Sequence, residues 1–165
     1  MAQLIRPLPA LLVTLALLAA CAAGQAAAVA ESPPSAWATV NVCKPSAVGM
    51  RVGVVGDGRD REVYARFTAQ WWSPDSKSWV PVAGSSSSPW VDVGSTQFAS
   101  RQNGWTFSFA PVTPGNYDVV RGLATLRWRE GRRVVAQRTL VTRAGLSGVD
   151  QGDPAGTSRA SCTLS

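Results

Sequence analysis

The sequence predicts an all-β chain folded as a single two-sheet sandwich, on three observations. Beyond residue 30, apolar and polar side chains alternate in short runs, the period of strands, with no convincing amphipathic helix. Clusters of Gly, Pro, Ser and Asp separate the runs. Their spacing, about seven to eight strands over roughly a hundred residues, is that of a β-sandwich.

The first thirty residues stand apart from this pattern. Arg6 precedes an apolar run over residues 11–20, and a small-residue stretch leads through Ala28-Val29-Ala30 to a polar start at Glu31, the layout of an export signal. Two processing routes fit. Ala28-Val29-Ala30 resembles a signal-peptidase site, whereas Leu18-Ala19-Ala20-Cys21 resembles a lipoprotein box in which Cys21 is lipidated. An uncleaved anchor fits less well, because Gly24 and Gln25 break the stretch short of the roughly 20 apolar residues a span needs. The expected organisation is a signal over residues 1–30 (or 1–20 by the lipoprotein route), a linker over 31–36 and one domain over 37–165. That length is enough for one hydrophobic core.

Strands are expected near residues 38–43, 50–55, 63–72, 79–82, 90–93, 105–109, 119–129 and 132–142. In the third, Val63, Ala65, Phe67, Ala69 and Trp71 share the inward face, and Tyr64, Arg66, Thr68, Gln70 and Trp72 the outward one. Trp105, Phe107 and Phe109 predict a second inward aromatic row. At Pro114-Gly115-Asn116-Tyr117-Asp118-Val119 a turn enters a strand that begins with tyrosine. This resembles the tyrosine corner of immunoglobulin and fibronectin type III domains and implies an immunoglobulin-like sandwich with Val119 inward. The apolar set Ala124, Leu126 and Trp128 is out of phase with Val119, so a bulge is expected near Gly122. Glu130-Gly131 is the expected hairpin turn, with Arg129 opposite Arg132, Trp128 opposite Arg133, Arg127 opposite Val134 and Leu126 opposite Val135. Residues 144–156 read as a loop returning Cys162 to the first strand, and Ser85 to Ser88 as a flexible loop.

Either processing route leaves Cys43 and Cys162 in the folded part, 119 positions apart. In an oxidising compartment such a pair is most simply a disulfide, the alternative being two separate buried thiols. Closing so long a loop is worth up to about 4–5 kcal/mol. Neither cysteine falls where antibody domains place their inter-sheet bridge.

Composition removes much of catalysis. There is no histidine, which excludes Ser-His-Asp and Cys-His machinery and leaves no usual zinc spacing. Lysine occurs only at 44 and 77. Asp57, Asp60 and Glu62 lie close together but alternate with Arg59 and Arg61, a solvated turn rather than the six or more oxygen ligands of a calcium site. The expectation is therefore no enzyme, no metal and no cofactor.

Binding is better supported. The formal charge is +6, and Arg127, Arg129, Arg132, Arg133 and Arg138 crowd the last hairpin. Such a strip suits anionic polymers, although charge also protects an edge strand from pairing. Of seven tryptophans, Trp72, Trp79 and Trp90 are the least committed to the core and are candidates for stacking on sugar rings; packing into the core or under a loop is the alternative.

The runs Trp37 to Cys43 and Ala65 to Trp72, with Val119 to Gly122 and Ser161-Cys162, resemble uncharacterised secreted proteins of high-GC actinobacteria. The resemblance implies export and a β-sandwich, with no activity attached. The expected role is a monomeric, non-catalytic extracellular or cell-envelope binding module. Its partner would be an envelope protein or polysaccharide, with no specific nucleic-acid contact, and with membrane contact only through lipidated Cys21.

Overall fold

The structure, a computed structural model, describes residues 35–84 and 86–165. The leader, both processing sites with Cys21, the linker up to residue 34, and Ser85 lie outside the described residues.

Among the described residues there are nine β-strands and no helix: β1 (Ala36–Lys44), β2 (Ala47–Val55), β3 (Glu62–Ser73), β4 (Ser78–Pro81), β5 (Val91–Ser95), β6 (Ser100–Ser108), β7 (Asp118–Glu130), β8 (Arg133–Val141) and β9 (Ser161–Leu164). They form a three-stranded sheet, β1-β2-β6, and a six-stranded sheet centred on β3 and β7. The short strands β4 and β5 lie end to end along β3, and β8 and β9 along β7. All pairings between these strands are antiparallel. The eight expected strands are present, with shifted ends. The ninth, β9, occupies what reads as a return to the first strand; four residues are too few for alternation to declare itself.

The inward rows of both sheets fill one core. Val48, Met50, Val52 and Val54 come from β2, Val63, Ala65, Phe67 and Ala69 from β3, and Val120, Ala124, Leu126 and Trp128 from β7. Trp71 packs against this core and Trp72 is 38% exposed, as alternation predicts. Trp105 departs from it at 39% exposed, while Phe107 is buried. Its strand β6 is the outer strand of its sheet, where an inward position is only partly covered.

Three expectations around β7 are corrected. Val120, not Val119, is the inward residue, and burial then alternates without a break through Trp128. No bulge exists at Gly122: the β3–β7 register runs continuously from Glu62↔Arg129 to Trp71↔Val120. The tyrosine corner is also missing, since Tyr117 is 69% exposed and precedes the strand.

The hairpin closes one residue later than expected. Glu130 pairs with Arg133, so Gly131 and Arg132 make the turn, with Gly131 at φ 57°. A register shift after Trp128 then sets Arg129 opposite Val134, Trp128 opposite Ala136, Arg127 opposite Gln137 and Leu126 opposite Arg138. Trp128 is fully buried.

Cys43 and Cys162 are bonded, with Cα atoms 5.4 Å apart. Cys43 is on β1 of one sheet and Cys162 on β9 of the other, so the bond joins the two sheets at the chain's terminal strands. Cys162 pairs with Val120 of β7, while Arg159 just before it bridges to Val40 of β1. The last segment thus crosses from one sheet to the other.

Candidate functional site

The outer face of the six-stranded sheet carries most of the residues singled out from the sequence. Strand alternation sends Tyr64, Arg66, Thr68, Gln70 and Trp72 outward from β3, and Arg121, Leu123, Thr125, Arg127 and Arg129 outward from β7. The register sets Gln70 beside Arg121 and Tyr64 beside Arg127. Long polar and aromatic side chains therefore meet in the middle of the sheet.

Three guanidinium groups lie over three aromatic rings on this face. Arg121 is 4.5 Å from the ring centroid of Trp79, Arg127 is 4.2 Å from that of Trp90, and Arg129 is 5.6 Å from that of Tyr64. Each is also held by hydrogen bonds. Arg121 Nε donates to Gln70 Oε1 at 2.9 Å, Arg127 Nε donates to Gln137 Oε1 at 2.7 Å, and Arg129 Nη2 donates to the Arg132 carbonyl at 3.3 Å. Trp72 meets Trp79 edge to face, with centroids 5.5 Å apart at 66°, the geometry that ring quadrupoles favour. Hydroxyl pairs Thr125–Thr139 and Thr68–Ser87, each at 3.0 Å, add further polar groups.

Tyr64, Trp90, Arg127, Arg129 and Val134 together line a shallow hollow of about 350 Å³. Glu62 and Asp92 sit at this end, and the Glu62 charge, followed by partial burial, pushes the Tyr64 phenol above its ordinary value. Tyr64 Oη donates to Glu62 Oε2 at 3.3 Å. Burial lowers the pKa of Arg121, though a guanidinium keeps its charge throughout the neutral range.

Trp72, Trp79, Trp90, Arg127 and Arg129 thus share one face, and the other two candidates do not join them in the same way. Arg132 is exposed at the turn, and Arg133 Nη2 reaches Glu130 Oε2 at 3.3 Å. Arg138 pairs with Leu126, whose side chain points into the core. The expected strip of five arginines is therefore divided. Tyr64, Gln70, Arg121 and Gln137 belong to the face without having been singled out as site residues. Tyr64 and Gln70 were legible as outward positions, whereas Arg121 was hidden by the one-residue phase error at Val119.

The acidic turn before β3 is spent on local bonds. Asp57 pairs with Arg61, Ser95 Oγ donates to Asp60 Oδ1 at 3.1 Å, and Glu62 accepts from Tyr64. Among the described residues no three His, Cys, Asp or Glu side chains are grouped to share a metal ion.

These features define a class of protein: an all-β chain of two antiparallel sheets, joined by a terminal-strand disulfide and bearing a face of arginines stacked on aromatic rings. No family model matches the chain, and no curated protein is found to be similar to it.

Proposed function

We propose that this chain is an exported, monomeric, non-catalytic binding module of the cell envelope with an immunoglobulin-like sandwich architecture. Its ligand is an anionic polymer held on the outer face of the six-stranded sheet. The observation that carries this reading is the row of three guanidinium groups set over Trp79, Trp90 and Tyr64. Stacking, with the Nε bonds of Arg121 and Arg127 and the Nη2 bond of Arg129 to the Arg132 carbonyl, holds the forks in place, and the Nη donors of Arg121 and Arg127 are left for carboxylate, phosphate or sulfate oxygens. Ordering those side chains before binding lowers the entropy a ligand must overcome. The single core filled from both sheets supports the architecture.

A neutral sugar stacked on the tryptophans is the second reading. Trp72 favours it, because it is partly exposed and, among the described residues, its ring contact is the edge-to-face one with Trp79. Trp79 and Trp90 disfavour it, since an arginine already lies over each ring.

The test is retention of the whole chain on immobilised polygalacturonate and on cellulose. Retention on the acidic polymer, falling steeply with salt and lost in Arg121→Ser plus Arg127→Ser, is the expected result. Retention on cellulose that depends on Trp72 would replace this reading with the second, and no retention on either would overturn both.

A further inference from the structure

The outer face of the three-stranded sheet holds a different arrangement, independent of the arginine–aromatic face. On β2, Gly49 and Gly53 flank Arg51 on the same side of the strand. Across the pairing, Arg51 meets Gly104 of β6 and Thr39 of β1. An arginine on the open face of a sheet would normally reach water, yet Arg51 is only 7% exposed. The segment 148–153 lies over it, fastened at both sides. Asn41 Nδ2 donates to the Gln151 carbonyl at 2.9 Å, and the Asp153 N–H donates to the Asn41 carbonyl at 2.8 Å. Gln102 bonds the segment twice, to the Gly148 carbonyl at 2.7 Å and from the Asp150 N–H at 3.1 Å.

No ion pair neutralises the guanidinium: among the described residues no carboxylate oxygen lies within 4.0 Å of it. Its Nη2 donates to the neutral amide oxygen of Gln151, and its Nε is buried with no partner. Burial pulls the pKa of Arg51 down, and Asp150, the one carboxylate that acts on it, raises it by less from beyond ion-pair distance. Buried charges are ordinarily paired, because desolvating one alone is costly. Gln151 adds a second oddity: its φ of 52° lies in the left-handed region, which costs a non-glycine residue of the order of 1 kcal/mol or more. The segment's backbone carries this cost at the residue whose side chain meets Arg51. Beside the pair opens a cavity of about 300 Å³, whose lining includes Arg51, Gln151 and Thr106 on its polar side and Val42, Met50 and Trp105 on its apolar side.

The geometry points to a carboxylate-binding site, in which the carboxylate of a small ligand replaces the Gln151 amide oxygen on Arg51 and the segment 148–153 is the strap that admits it. Arg51 supplies the planar fork that carboxylates bind in bidentate fashion, and the Thr106 hydroxyl supplies a hydrogen bond to the rest of the ligand, while Asn41 holds the strap and Asn103 is bonded to the Asp92 carbonyl. One uncompensated charge calls for a monoanion, and the nearby Asp150 disfavours anything more negative. The volume is at the lower end for small-molecule sites, which suits one sugar acid or one terminal amino acid.

The test is calorimetric titration of the whole chain with glucuronate and with N-acetylglycine, each against its neutral counterpart, glucose and N-acetylglycinamide. Saturable binding of the acids, at least tenfold tighter than of the neutral compounds, is expected. Tighter glucuronate identifies an acidic saccharide as the source of the carboxylate, and tighter N-acetylglycine a peptide C-terminus. Gln151→Glu places a carboxylate on Arg51 from within the chain, so it raises the thermal midpoint and abolishes binding. Arg51→Met removes the buried charge and abolishes binding. No saturable binding to the natural chain, or binding that survives Gln151→Glu, overturns the proposal even if Arg51→Met does not fold.

Discussion

The guanidinium of Arg127 rests over the ring of Trp90, 4.2 Å from its centroid, and its Nε donates to Gln137. The strand β5 begins one residue after Trp90, and Arg127 and Gln137 sit opposite each other on β7 and β8. One stack therefore ties the approach to an edge strand of the six-stranded sheet to its centre and its opposite edge. A side chain that closes the sheet in this way is also fixed for recognition.

Arg127→Ala is expected to cost about 0.5–1 kcal/mol, the worth of an exposed cation–π contact, and to shift Trp90 emission to the red as the ring meets water. Arg127→Lys keeps the charge but neither the planar stack nor the Nε bond. Denaturant midpoints of the two variants should both fall, and only the lysine variant should keep part of the salt-dependent retention on polygalacturonate.

Gly122 is a packing requirement. A Cβ there would collide with Met50 Sδ and stand 2.9 Å from Thr142 Cγ2, while the Gly122 N–H donates to Thr142 Oγ1 at 3.0 Å in the buried interior. Gly122→Ala is expected to destabilise by about 1–3 kcal/mol, as overpacking does. Adding Met50→Val should recover part of that loss. A double-mutant cycle in urea measures the coupling, and strict additivity would contradict the collision.

The disulfide joins Cys43 of the first strand to Cys162 of the last. Cys43→Ser with Cys162→Ser is expected to lower stability by about 2–5 kcal/mol, because it frees a loop that spans 119 positions. Guanidinium denaturation checks the magnitude. Mass spectrometry of unreduced peptides should recover one fragment containing both cysteines.

Most strands were legible because half-buried strands write their period into the sequence, as β3 does from Val63 to Trp72. The errors arose where that period was ambiguous. Around Val119 and Val120 two adjacent valines left the phase of β7 undetermined, and the tyrosine at 117 favoured the wrong one. With that choice Arg121 became an inward misfit and a bulge was needed. Glycine also carries no hydropathy, so Gly122 could not signal that it faces Met50. The arginine–aromatic face was legible in composition but not in pairing, since β4 and β5 reach β3 through loops of no fixed period. Arg51 was silent for the same kind of reason: a strap over 148–153 buries it, and aperiodic segments do not announce what they cover.

Arg61 links the turn before β3 to the end of β7, and this sets the acid side of the stability profile. It is 8% exposed, with Nη1 3.3 Å from Asp57 Oδ2 and Nε 3.0 Å from Glu130 Oε1. The hydrogen bond from Arg61 is the largest influence on Glu130; with help from Arg133 it outweighs slight burial and holds the carboxyl below its ordinary value of 4.5. For Asp57, burial alone would raise the pKa, but bonds from Thr96 and the Arg59 N–H, with the Arg61 charge, bring it below its ordinary 3.8. Both groups are more acidic folded than unfolded, so each stabilises the fold above its unfolded value, and the contribution is lost as pH falls through the lower folded value. The thermal midpoint should therefore begin to drop below about pH 4.5, with no histidine to add a transition nearer neutrality. Glu130→Gln should lower the midpoint at neutral pH and flatten the acid slope, whereas Asp75→Asn, on the exposed β3–β4 turn, should leave that slope in place. An unchanged slope in Glu130→Gln would mean that the Arg61 bridge contributes nothing to folding.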